Sequence, residues 1–241
     1  MEVCIDNIQS AINAAASGAS RIELCTALSE GGLTPSVGFL KIVKQLVHIP
    51  IFVMLRPRRG NFVYTKDELD ILKQDAIELK NAGADGVVFG ILKEDGTIDE
   101  QSCQDILNIT RPLPATFHRA FDVLRDPTSS LDVLINLGFS RVLTSGQKPR
   151  AEDGLDLIRQ LVELSQGRII IMPGSGVNEN NIGRIMETGV REVHASARST
   201  VRLNFQSDTE VAMGSSDDNE LLVTDVKIVR TIVSVVNKFV N

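Results

Sequence analysis

The stretch Gly83-Ala84-Asp85-Gly86-Val87-Val88-Phe89-Gly90 contains the pattern that decides the fold. A helical pattern ends at Gly83, and a short apolar run begins at Gly86. Glycine commonly follows the last turn of a helix because it adopts positive φ without a clash at Cβ. Short apolar runs are typical of parallel strands that are buried on both faces. The stretch therefore predicts a helix that leads directly into a buried parallel strand.

The same junction recurs along the chain, after Gly18, Gly138, Gly167 and Gly189. Eight strands are predicted, at residues 2–4, 21–25, 51–56, 86–90, 115–119, 141–145, 169–173 and 192–196. Their starts lie 19 to 35 residues apart, which is the room that a strand, a helix and two loops require. We therefore predict an α/β fold, a single-domain (β/α)8 TIM barrel over residues 1–241. A doubly wound open sheet is the alternative.

Helix starts are marked by capping residues. Thr34-Pro35 and Asp126-Pro127 each indicate an N-cap followed by proline at the first helical position. Thr65-Lys66-Asp67-Glu68 has the pattern of a capping box. The last helix is predicted to begin near Thr224.

Residues 200–223, before that helix, form a predicted long acidic loop. Its carboxylates are Asp208, Glu210, Asp217, Asp218 and Glu220. A connection of this length is unusual in a barrel. It is interpreted either as a solvated loop or as a lid over the barrel mouth.

Composition excludes several classes of function. The 241 residues carry 25 Lys and Arg against 31 Asp and Glu, and a net charge of −6 argues against binding to nucleic acid. No apolar run is long enough to span a bilayer, so no membrane partner is expected. Cys4, Cys25 and Cys103 form no C-x-x-C pair, and their odd number favours a reducing compartment over a disulfide framework. A cytoplasmic location is predicted.

Barrel sites lie at the carboxyl ends of the strands, where a first group of residues indicates a metal site. Cys4 and Cys25 end the first two strands, and His194 lies on the eighth, which neighbours the first after closure. Two thiolates favour Cu(I) or Zn(II), with His194 as a third ligand. In the alternative interpretation both cysteines are small buried hydrophobic residues.

A second group indicates acid–base chemistry. His118 and Arg119 lie at the end of the fifth strand, Asp122 follows in the next loop, and Glu23 lies near the end of the second strand. An imidazole and carboxylates at a strand end are suited to proton transfer. A histidine satisfied by hydrogen bonds in a polar mouth is the alternative.

A third group indicates an anion site. Gly174 and Gly176 form a glycine-rich turn after the seventh strand, and Ser196 follows the eighth. In barrels these two loops commonly bind phosphate. Arg56 is placed in the same pocket as an oxyanion ligand, and the remaining pocket residues are Arg119 and Ser145. In the alternative interpretation, Gly174 and Gly176 are present only because a tight turn between a strand and a helix requires glycine.

These residues resemble the CutC family of copper homeostasis proteins. The matching segments run in family order: Glu2-Val3-Cys4, Gly18-Ala19-Ser20-Arg21-Ile22-Glu23-Leu24-Cys25, Glu30-Gly31-Gly32-Leu33-Thr34-Pro35-Ser36, Arg56-Pro57-Arg58, Gly86-Val87-Val88-Phe89-Gly90, Thr116-Phe117-His118-Arg119-Ala120-Phe121-Asp122, Leu143-Thr144-Ser145-Gly146 and His194-Ala195-Ser196-Ala197. The chain departs from the common family pattern at Arg59 and Ser175, where glycine is usual.

The resemblance implies a (β/α)8 barrel that binds Cu(I) through Cys4 and Cys25 in intracellular copper homeostasis. It also implies a cytoplasmic homo-oligomer, with nuclear occurrence in animal members.

Two hypotheses on function stand side by side. The first is a copper-binding protein without enzymatic activity, whose ligands are Cys4, Cys25 and His194. The second is a lyase or isomerase that acts on a small phosphorylated or carboxylated metabolite. Such an enzyme would use Glu23, His118 and Asp122 for proton transfer.

Overall fold

The computed structural model describes residues 1–203 and 219–240, and all eight predicted strands are present there. They are β1 Glu2–Ile5, β2 Arg21–Leu24, β3 Ile51–Met54, β4 Gly86–Phe89, β5 Ala115–Phe117, β6 Arg141–Thr144, β7 Ile170–Pro173 and β8 His194–Ala195. Most strands end one or two residues earlier than predicted. Polar residues predicted at strand ends, such as Arg56 and His118, therefore lie at the start of the following loops.

The strands form one parallel sheet in the order β7-β6-β5-β4-β3-β2-β1-β8. β1 pairs with both β2 and β8, which brings the two ends of the strand series together. Within the described ranges no backbone pairing joins β7 to β8, so the ring is closed except at one seam. The chain is thus the predicted (β/α)8 barrel and not a doubly wound sheet, whose strand order would reverse at its centre.

Helices follow the strands in alternation. They are α1 Ile8–Ala16, α2 Val37–Leu46, α3 Lys66–Asn81, α4 Glu100–Thr110, α5 Pro127–Leu137, α6 Leu155–Ser165, α7 Ile182–Met186 and α8 Val226–Val240. Thr65 and Glu68 form the predicted capping box at α3, and Asp126 caps α5 as predicted.

The predicted start of α2 is wrong. Ser36, not Thr34, is the N-cap, and its side chain accepts a hydrogen bond from the amide of Phe39 at 3.1 Å. The Thr34 hydroxyl instead accepts a hydrogen bond from the amide of Arg56 at 2.9 Å. It thereby ties the loop after β2 to the end of β3, which leaves the capping role to the next hydroxyl along the chain.

The lower half of the barrel, at the amino ends of the strands, holds a buried ion network. Arg21 pairs with Glu2 and, at 2.6 Å, with Glu192. Arg141 reaches the same Glu192 oxygen at 2.8 Å. Both guanidinium groups lie over the ring of Phe52, at 4.9 and 5.2 Å from its centroid. The apolar interior expected of such a barrel is therefore replaced here by paired charges.

The prediction of a loop over residues 200–223 is wrong at both ends of that segment, because each end is a β-strand. β9 Arg198–Arg202 and β10 Glu220–Thr224 form an antiparallel pair outside the barrel. Asn7 and Asn13 next to and on α1 donate hydrogen bonds to β10 carbonyls. Runs such as Leu221-Leu222-Val223-Thr224 carry the strand signal, which the surrounding charges conceal. Four of the acidic residues lie outside the described residues: Asp208, Glu210, Asp217 and Asp218. The predicted lid falls on the same part of the chain.

The last helix packs on the barrel through Val229, Ile232 and Val236. Across the described ranges, no helix is both long enough and apolar enough to cross a membrane.

Candidate functional site

Three side chains from three strands meet on the floor of the barrel mouth. Cys4 and Glu23 face each other in the register of β1 and β2, and His194 comes from β8 on the other side of β1. One donor atom from each side chain lies within 4.8 Å of the other two. All three residues are buried. We call this group the Cys–Glu–His cluster.

His194 is oriented from below. Its Nδ1 donates to Glu2 Oε1 at 2.8 Å, which turns Nε2 toward the cluster, 3.7 Å from Glu23 Oε2. Burial alone would raise the pKa of Glu2, but the hydrogen bond from His194 and the charge of Arg21 lower it to about 2. Glu2 is thus a fixed anion shared by the cluster above and the ion network below.

Glu23 is incompletely satisfied. Among the described residues its Oε1 is buried without a hydrogen-bond partner, while Oε2 accepts from Cys25 Sγ at 3.5 Å. Burial outweighs the charge of His194 and raises the pKa of Glu23 to about 7. The pKa of His194 is also raised well above its usual value, because Cys4 and Glu23 outweigh the effect of burial. The metal-free cluster therefore retains protons that a bound cation would displace.

Cys25 lies beside the cluster rather than within it. It is fully buried and packs with Phe52, Met54 and Val88. A Cβ at Gly32 would approach Cys25 Sγ to 3.0 Å, so the loop after β2 closes over the thiol. Burial raises the pKa of Cys25 well above its usual value, and Glu23 adds to the rise.

Above the cluster lies an open cavity of about 540 Å³. It brings together most of the residues selected from the sequence: Cys4, Glu23, Arg56, His118, Arg119, Asp122, Gly176, His194 and Ser196. Cys25, Ser145 and Gly174 do not line it.

His118 is a neutral imidazole at the cavity wall. Its Nδ1 accepts a hydrogen bond from the amide of Ala120 at 3.2 Å, and its ring packs against Phe62 at 4.7 Å. Burial, assisted by the charge of Arg56, lowers the pKa of His118 to about 3. Its Nε2 has no hydrogen-bond partner in the part of the chain that the structure describes.

Asp122 holds the loop after β6. Its carboxylate accepts from the amide of Ser145 at 2.9 Å, from the Ser145 hydroxyl at 2.9 Å and from the amide of Gln147 at 3.3 Å. Arg119 donates to Asp122 at 2.8 Å and to Ser145 Oγ at 3.0 Å. Asp122 and Arg119 thus bind each other and this loop, and His118 makes its hydrogen bond elsewhere.

Most hydrogen-bond donors of the Arg56 guanidinium group are already used within the protein. Its Nη1 donates to the carbonyls of Glu30 and Gly32, at 2.8 and 3.1 Å, and its Nη2 to that of Gly60 at 3.1 Å. Only Nε lacks a partner among the described residues. Arg56 therefore fixes two loops at the mouth and has little left to offer an anion.

The glycine-rich turn after β7 is tightly packed. A Cβ at Gly174 would lie 2.6 Å from Leu143 Cδ1. Ser175 has a φ of +79°, a conformation that glycine favours. Helix α7 begins only at Ile182, so the turn does not lead directly into a helix.

The comparisons with known proteins agree with this fold. The model of the CutC family matches residues 1–199. The chain belongs to the CutC family. This CutC member is 52% identical over 237 residues to the copper homeostasis protein cutC homolog of Homo sapiens, across 96% of this chain and 87% of that protein. It is 46% identical to the copper homeostasis protein cutC homolog of Caenorhabditis elegans, across 95% and 92% of the two chains.

Solved structures agree as well. The CutC protein of Streptococcus agalactiae superimposes with a TM-score of 0.78 at 38% identity, over 81% of this chain and 97% of that one. An aldolase with a TM-score of 0.64 and 13% identity, over 81% of this chain and 89% of that one, shares the fold alone.

Proposed function

We propose that this CutC member acts in copper homeostasis and binds one copper ion, as Cu(I), at the Cys–Glu–His cluster. The observation that carries the proposal is the approach of three buried donor atoms to within 4.8 Å of one another. The names of its relatives, copper homeostasis proteins, support the same role.

The donor set suits a soft cation. A thiolate from Cys4 and an imidazole nitrogen from His194 are ligands that Cu(I) accepts readily. Glu2 occupies Nδ1 of His194 and leaves Nε2 for the metal, as carboxylates behind metal-binding histidines commonly do. Glu23 is a hard oxygen donor, so Cys4 and His194 are the main proposed ligands.

Cys25 is proposed as an auxiliary thiol. Its Sγ donates a hydrogen bond to Oε2 of Glu23, which belongs to the Cys–Glu–His cluster. A site with two thiols requires Cys25 to exchange that hydrogen bond for the metal. We therefore expect Cys25 to contribute less to affinity than Cys4.

A competition titration tests the proposal. The metal-free protein is titrated with Cu(I) under anaerobic conditions against a Cu(I) chelator. We expect one equivalent to bind, and Cys4→Ser to weaken binding by more than about 100-fold, beyond the effect usual for outer-shell residues. His194→Gln should weaken it too, and Cys25→Ser by about tenfold or less.

Cys103 provides the matched control. It is a third buried thiol, in α4, outside the cavity. Cys103→Ser should retain wild-type affinity. Equal affinities for the wild type, Cys4→Ser and His194→Gln would overturn the proposal.

The assembly and location stay predictions from the family resemblance. We propose a homo-oligomer in the cytoplasm, with nuclear occurrence as in animal members. Exposed apolar side chains on α1 and β10, among them Ile8, Ile12 and Leu222, support contact between copies.

A further inference from the structure

The barrel seam carries unused hydrogen-bond donors. The loops after β7 and β8, residues 174–178 and 196–198, are here called the seam loops. Within the described ranges, five of their backbone amides donate no hydrogen bond: Ser175, Gly176, Val177, Ser196 and Ala197. Because β7 and β8 are not paired, neither strand supplies acceptors to the other loop.

The neighbouring loop after β6 differs in this respect. There the carboxylate of Asp122 accepts from the amides of Ser145 and Gln147. Among the residues that the structure describes, a carboxylate accepts from the amides of the loop after β6 and none accepts from the amides of the adjacent seam loops. Buried amides without partners are rare in proteins, and Val177 and Ala197 are buried residues.

Both seam loops face the cavity of the barrel mouth. Ser175, Gly176, Val177 and Ser196 line it. Ser175, Gly176 and Ala197 have φ values of +79°, +71° and +46°. Successive amides in such turns can converge on one anion.

The charges around the seam loops are mixed. Arg198 lines the cavity and lies 3.8 Å from Asp6, a pair that leaves guanidinium donors available. Glu23 on the cavity floor and Asp122 at the cavity wall are the opposing acids, and Asp122 is paired with Arg119 at 2.8 Å.

A second observation points to a ligand in this cavity. His118, only 3% exposed, lines the same space, and its Nε2 lacks a partner among the described residues. A buried polar atom without a partner is costly unless a ligand completes it.

We infer that the seam loops bind the phosphate group of a small phosphorylated molecule, whose remainder extends across the cavity toward His118. Four amides of cavity-lining residues, the Ser196 hydroxyl and Arg198 exceed the hydrogen-bonding capacity of one carboxylate and suit the oxygens of a phosphate group. This site is separate from the proposed copper ligands and does not depend on them.

Amide NMR of the ¹⁵N-labelled, metal-free protein tests the inference. The probes are inorganic phosphate, glycerol 3-phosphate and succinate. We expect saturable shifts of the amides at 175–177 and 196–197 with the two phosphates. Tighter binding of glycerol 3-phosphate identifies a phosphate ester as the ligand, and equal binding identifies inorganic phosphate. Equal or tighter binding of succinate, or no saturable shift at these amides, overturns the inference.

Two variants sharpen the test. Ser196→Glu places a carboxylate between the seam loops, as Asp122 does after β6, and should weaken phosphate binding by about tenfold or more. Arg198→Gln removes the nearby cation and should weaken it by about tenfold. The matched control is Thr231→Glu, on the exposed face of α8, which should bind as the wild type does. Wild-type affinity in both site variants would contradict the assignment.

Discussion

The two halves of the barrel interior treat their buried carboxylates differently. In the lower half, Glu2 and Glu192 each accept from a guanidinium group of Arg21. In the upper half, Glu23 keeps one oxygen without a partner among the described residues, and its pKa is raised to about 7. The lower carboxylates are completed by the protein itself. The upper one is left for a proton or a cation, which distinguishes a structural region from a binding region.

The largest expected effect comes from Arg21→Met. It leaves the buried Glu2 without a guanidinium partner, and it leaves the partly exposed Glu192 with Arg141 alone. Removal of one partner from a buried ion pair typically costs about 3–5 kcal/mol. We expect the free energy of unfolding, measured by denaturant titration, to fall by about that amount.

Lys44→Met is the control for that experiment. Lys44 pairs with Asp85 at 2.9 Å, but both side chains are about one-third exposed. Such pairs contribute about 1 kcal/mol or less. If Arg21→Met costs no more than Lys44→Met, the lower network is not a structural element and the contrast between the two halves fails.

An intermediate effect is expected from Glu23→Gln as a function of pH. The folded chain holds a proton on Glu23 more tightly than the unfolded chain, whose pKa is 4.5. The stability of the metal-free wild type should therefore fall as pH rises from 4.5 through about 7. His194, whose pKa is also raised, acts in the same direction above pH 6.5.

The expected difference is on the order of 2 kcal/mol between pH 5 and pH 8, and Glu23→Gln should abolish much of it. Thermal or denaturant unfolding at several pH values measures it. Parallel stability curves for the wild type and the variant would show that Glu23 is as well satisfied as the lower carboxylates.

The smallest effect is expected from Ser175→Gly. A side chain at a φ of +79° is strained, so glycine should stabilise the fold by about 1 kcal/mol. Part of this gain is offset by the loss of the hydrogen bond from Ser175 Oγ to the Pro149 carbonyl. A decrease in the melting temperature would show that this hydrogen bond outweighs the strain.

Local sequence signals were sufficient for the fold. The glycine junctions located the strands, since each lies where a helix must end and a buried run begins. The convergence of Cys4 and His194 also followed from the sequence, because closure makes the first and eighth strands neighbours.

Lateral contacts were beyond the reach of that reasoning. The bond from His194 to Glu2 depends on the register between β1 and β8, which no local pattern encodes. The sequence placed Cys25 near Glu23 at the end of the second strand, but it could not reveal that the loop at Gly32 covers the thiol. The unused seam amides likewise depend on a pairing that does not form.

The carboxylate of Glu2 connects the ion network in the lower half of the barrel to the cluster at the mouth. Glu2 accepts from Arg21 with one oxygen and from His194 with the other. An ion bound by His194 is therefore coupled, through the Glu2 carboxylate, to the ion network of the lower strands. The thermal unfolding temperature of the barrel should therefore report whether an ion is bound at the mouth. We expect the protein with a bound ion to unfold at a higher temperature than the protein without one.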